Sequence, residues 1–132
     1  MPVELKMLGW STVLGLVYLC FAAVLMTGQR GMAWNASNRD GACTPLTGMA
    51  ARAERAQRNF LETFAFFAAA VLAVLVGQCT NSTTALGAEL YFWARLVYLP
   101  VYAIGIPYVR TLVWMASVAG LIMVLSGLIG AH

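Results

Sequence analysis

The sequence predicts an all-α integral membrane protein, a bundle of four transmembrane helices running up-down-up-down. Three observations predict it. Of 132 residues, 61% are hydrophobic and only 10% charged, with a mean hydropathy of +0.79, far from the averages of soluble domains. The apolar residues come in long blocks, and the first, Met7 to Met26, holds 20 residues without a charge. As a helix such a block covers about 30 Å, the thickness of a bilayer's hydrocarbon core. Polar stretches bearing Gly or Pro separate the blocks, and by length the chain, 1–132, is one domain.

The first helix is predicted at about 5–27. Its apolar run is too long for a cleaved signal peptide, and no convincing small-residue cleavage site follows. Ser11 and Gly15 form a small-residue pair suited to a close neighbour helix. Thr27 to Ala50 then reads as a polar loop broken by Gly28, Gly31, Gly41, Pro45 and Gly48. Five of the eight basic residues lie between Gln29 and Asn59, so the positive-inside rule puts loop 28–58 in the cytoplasm and both termini on the opposite side. A bacterial inner membrane is the expected location. The net charge of +3 comes from these arginines and gives no indication of nucleic acid.

The second helix is predicted at about 50–77, and its head is unusual. At about 100° per residue, Arg52, Arg55, Arg58, Asn59 and Glu62 fall within an arc of roughly 120°. A topological signal needs the arginines but not an amide and a carboxylate beneath them. Because a carboxylate just below a membrane interface is costly unless paired, Glu62 is expected to meet one of the arginines. A short uncharged turn from Gln78 to Thr84 follows. Asn35-Ala36-Ser37 and Asn81-Ser82-Thr83 match the glycosylation triplet, a motif too short to carry weight.

The third helix, about 86–104, carries Arg95 near its middle with Tyr98 and Tyr102 on the same side. An intramembrane arginine marks a functional site or an ion pair, and Glu62 or Glu89 is its expected partner. Pro100 should bend this helix. Gly105-Ile106-Pro107 allows only an antiparallel return into the fourth helix, about 108–131, headed by Arg110 and carrying the small pair Ala116 and Gly120. Cys20, Cys43 and Cys79 are too scattered for a disulfide framework or metal site, and free thiols are expected.

The sequence holds no phosphate-cradling Gly-rich loop, no His cluster beyond the terminal His132 and no Ser-His-Asp set. What it collects is arginines, Gln57, Asn59, Glu62 and two tyrosines. That inventory suits a small, multiply anionic ligand: guanidiniums fork to carboxylates, and Glu62 can accept from an ammonium. If the ligand carries a thiol, Arg110 at a helix head favours the reactive thiolate. The second reactant would come from the lipid phase.

Two separated motifs resemble a known family. Arg55-Ala56-Gln57-x-Asn59-x-x-Glu62, preceded by Pro45-Leu46-Thr47, looks like the second-helix signature of the membrane-associated proteins in eicosanoid and glutathione metabolism, the MAPEG family. Ala94-Arg95-Leu96-x-Tyr98-x-x-x-Tyr102, followed by Arg110, is similar to that family's later pattern, particularly in leukotriene C4 synthase-like members, and a bacterial-type microsomal glutathione transferase-like protein is expected. The resemblance implies a homotrimer with glutathione as co-substrate, bound between neighbouring subunits near the cytoplasmic face. It assigns Arg55, Gln57, Asn59, Glu62, Tyr98 and Tyr102 to glutathione, with Arg58 and Arg95 beside them, Arg30 as the loosest member and Arg110 as the thiolate-stabilising residue.

The implied activity is glutathione transfer or peroxidase chemistry on apolar, lipid-phase electrophiles. The alternative is a non-catalytic member, either a lipid-binding scaffold or an accessory subunit of a larger membrane complex. A small transporter is poorly supported, because the chain has neither an inverted repeat nor a broken pair of apolar helices.

Overall fold

The computed structural model describes residues 1–37 and 45–130, without the side chains of Asn35 and Ala36. Cys43, His132 and the expected end of the fourth helix at 131 lie outside the described residues. Within them the regular structure is helical: α1 (Val3–Arg30), α2 (Met32–Ala36), α3 (Gly48–Val76), α4 (Ser82–Ile104) and α5 (Pro107–Ile129).

Helix α1 runs past Gly28 and stops only at Gly31, whose φ of +91° suits glycine and whose N–H returns to the Thr27 carbonyl. A single glycine in a helix weakens it without ending it, so the expected loop is shorter than 27–50 and contains α2. The end of α1 is tied to the head of α3 by one side chain. The Gln29 amide donates to the Thr47 carbonyl at 2.9 Å and accepts from the Thr47 N–H at 3.1 Å. Since Thr47 is the residue just before α3, this pairing sets where that helix begins.

Helix α4 starts on a capping box: the Asn81 side chain accepts from the Thr84 N–H, and the Thr84 hydroxyl accepts from the Asn81 N–H. The side chain of the second glycosylation triplet is therefore engaged in a structural bond. The helix ends at Gly105 in the left-handed region, and Pro107 opens α5 at a position where its missing N–H is not needed.

The long helices pack with their neighbours antiparallel. Gly15 of α1 meets the Phe60 ring of α3, where an added Cβ would lie 2.9 Å from the ring. Phe67 of α3 stacks on Tyr91 of α4 with ring centroids 4.0 Å apart. Helices α4 and α5 touch through their backbones, since a Cβ on Gly87 would stand 2.6 Å from the Gly120 carbonyl oxygen, and one on Gly120 would stand 2.6 Å from that of Gly87. Helices α1 and α4 run parallel, joined at one end by the Thr84 hydroxyl donating to the buried Glu4 carboxylate at 2.6 Å. Further along, the Tyr18 hydroxyl donates to the Arg95 carbonyl at 2.5 Å.

Tyr18 is wholly buried, so Tyr18→Phe removes a buried bond to a carbonyl that keeps its own helical partner and is expected to cost about 1 kcal/mol, read as a lowered melting temperature in detergent.

The outward faces are apolar, with Trp10, Leu16, Phe66, Trp93, Met115 and Ile122 all exposed. Helices α1, α3 and α5 are each long and apolar enough to cross a membrane. Helix α4 matches α5 in length at 23 residues but carries Glu89 and Arg95. Among the described residues Cys20 and Cys79 are free thiols, Cys20 exposed on α1.

Candidate functional site

Helix α3 delivers its polar residues to one end of the molecule because its first turns lie beside the last turns of α4 and the first of α5. Arg55, Arg58, Asn59 and Glu62 from α3, Tyr98 and Tyr102 from α4, and Arg110 from α5 line one open cleft of about 360 Å³. Three guanidiniums thus face one carboxylate, an excess of positive charge suited to an anion.

Tyr102 organises one wall. Arg55 Nε donates to its hydroxyl at 3.1 Å, and the Arg110 guanidinium sits over its ring at 4.7 Å from the centroid. Tyr98 is tilted against Tyr102 with centroids 5.4 Å apart. Both tyrosines are buried, so these rings hold the arginines in place and keep water from one side of each. Arg110 lies in the first turn of α5, where the helix dipole is already positive; a cation there adds to the dipole instead of cancelling it. Positive potential concentrates at that point. The Thr111 hydroxyl turns back to the Pro107 carbonyl at 3.4 Å.

Three expectations are corrected. Glu62 is not ion-paired with an arginine: among the described residues the ion pair is Arg58 with Glu54 at 3.1 Å, an exposed pair of small energetic weight. Arg95 bonds neither Glu62 nor Glu89. It is 0% exposed, lies behind the cleft wall, and donates from Nη2 to Asn59 Oδ1 at 2.8 Å, with the Tyr98 ring 4.5 Å and the Phe60 ring 5.5 Å from its guanidinium carbon. An amide and two π faces take the role expected of a carboxylate.

The third correction concerns grouping. Gln57 projects from the other side of α3, bordering a separate pocket with Leu19, Ala22, Ala23, Met26, Leu46 and Glu54. Arg30 lies on that α1 side as well, 3.6 Å from Met26 Sδ and stacked over Trp34. Neither lines the cleft. Two residues step from Arg55 to Gln57 turn a helix by about 200°, so the wheel already separates them.

The roles of two residues were not anticipated. Arg52 falls on the expected arc, yet its Nε donates to the Ala103 carbonyl at 2.9 Å and caps the end of α4 beside Gly105. Tyr18 supports Arg95 from behind. A tyrosine within a charge-free apolar helix was the available signal, since a buried hydroxyl needs a partner.

The MAPEG family model matches residues 7–130, nearly the whole chain. No curated protein matches it.

Proposed function

Because the chain belongs to the MAPEG family, whose members include glutathione-dependent transferases and peroxidases, we propose that it is a glutathione-dependent membrane enzyme acting on apolar electrophiles or lipid hydroperoxides. The observation that carries this reading is the cleft in which Arg55, Asn59, Glu62, Tyr98, Tyr102 and Arg110 converge from three helices. Glutathione is a zwitterion with two carboxylates, one ammonium and a thiol. The arginines match its carboxylates, Glu62 its ammonium, and Arg110 at the α5 head its thiolate.

Arg110 would act by lowering the thiol's pKa through electrostatic stabilisation in a partly desolvated site. The thiolate sulfur then bonds to an electrophilic carbon presented from the apolar flank, where Tyr108, Val109 and Leu112 are exposed around Arg110, and the leaving group departs as an anion. With a hydroperoxide the sulfur instead breaks the O–O bond, the alcohol leaves, and a second glutathione closes the disulfide. In this reading α4 is the fourth span of an up-down-up-down bundle, with its Arg95 hidden among aromatic rings. Arg30 and Gln57, on the α1–α3 side, are assigned to the cleft of a neighbouring subunit in a homotrimer.

Detergent-purified protein titrated with glutathione is expected to bind it and to develop thiolate ultraviolet absorbance at neutral pH. Protein that binds no glutathione overturns the reading.

A further inference from the structure

We propose that Arg95 is a positioning residue that fixes the polarity of Asn59, so that this amide offers N–H groups, and not its carbonyl, to the ligand. The inference rests on reading the cleft as a glutathione site. An asparagine amide is nearly symmetric in shape, and an unsupported one can turn either end to a ligand. Asn59 lines the cleft, but its Oδ1 is 2.8 Å from Arg95 Nη2. A guanidinium only donates, so the atom facing it must be the carbonyl oxygen. The NH₂ group is left for the cleft.

Arg95 is itself held from three sides. The Tyr98 and Phe60 rings lie 4.5 Å and 5.5 Å from its guanidinium carbon, and the Tyr18 hydroxyl of α1 donates to its carbonyl. That last bond is an extra one, added to the helical bond the Arg95 carbonyl already accepts within α4. Arg95 Nε and Nη1 are buried without a hydrogen-bond partner, which leaves the aromatic faces as the compensation for its charge. No carboxylate neutralises it among the described residues, so its field also reaches the cleft.

The ligand group that meets Asn59 must therefore be an acceptor: a carboxylate or a peptide carbonyl. A donor placed there would face N–H against N–H.

Asn59→Asp tests this directly. The aspartate keeps an oxygen for Arg95 while replacing the NH₂ with a second oxygen, and it gives the buried cation a counter-charge. The melting temperature in detergent is expected to hold or rise while glutathione affinity falls at least about tenfold. A purely structural role for the pair would move stability and affinity together. Affinity within twofold of wild type, or a fall in affinity matched by a fall in melting temperature, overturns the proposal. Should Asn59→Asp not fold, Arg95→Lys, which still donates to Oδ1, is expected to keep most of the affinity that Arg95→Met loses; equal affinities in these two variants overturn it. Wild-type protein that takes up no glutathione overturns the underlying reading of the cleft, a result separable from both.

Discussion

Arg110→Ala is expected to retain glutathione but abolish its thiolate absorbance, with a fall in kcat of about a hundred- to a thousandfold, equivalent to about 3–4 kcal/mol of lost stabilisation. Binding survives because Arg55, Arg58, Asn59, Glu62 and the two tyrosines remain to hold the ligand's other groups. The thiolate does not, because the cation nearest the α5 head is the one lost. Arg110→Lys separates charge from geometry: it keeps the positive end but not the flat guanidinium over the Tyr102 ring, and an intermediate rate is expected. The measurements are a thiolate difference spectrum and conjugation of an apolar aryl halide. Full thiolate absorbance in Arg110→Ala would remove this residue from the mechanism.

The second large effect lies far from the cleft. Gly120→Val is expected to destabilise the protein by about 3 kcal/mol, enough to lower its melting temperature sharply in detergent or prevent recovery of folded material. A side chain at this position would meet the Gly87 carbonyl oxygen at 2.6 Å and the Tyr91 amide nitrogen at 2.8 Å, and backbone atoms cannot turn aside as a flexible side chain can. The helices must separate, and the stacked Phe67–Tyr91 pair is disturbed with them. Gly9→Ala provides the contrast. No atom lies within 4 Å of the added carbon, so that change is expected to be neutral or to stabilise by up to about 1 kcal/mol.

Much of this arrangement was legible in the sequence, for physical reasons that also explain the failures. Periodicity reports which residues share a face of one helix, so Arg55, Asn59 and Glu62 were correctly grouped and do line one cleft. The same periodicity separates Gln57 from them, and grouping it with the rest ignored the angle. What a helix wheel does not contain is the register between helices. The partner of Arg95 was sought among carboxylates because charge seeks charge, yet Asn59 and two aromatic rings stand at its level. The Ala116–Gly120 pair pointed to the correct side of the last helix, but its counterpart Gly87 emerges only once α4 and α5 are aligned. Helix ends were displaced by a few residues where a glycine was taken as a terminator, as at Gly28.

The glycine contact between α4 and α5 also bears on how the cleft opens. Where Gly87 meets Gly120 the main chains touch, so the two helices cannot draw closer at that level. Tyr98, Tyr102 and Arg110 stand on this pair as one jaw of the cleft, while Arg55, Asn59 and Glu62 stand on α3 as the opposing one. A swing that parts the jaws must work against the two arginine bonds that cross from α3 to Tyr102 and Ala103.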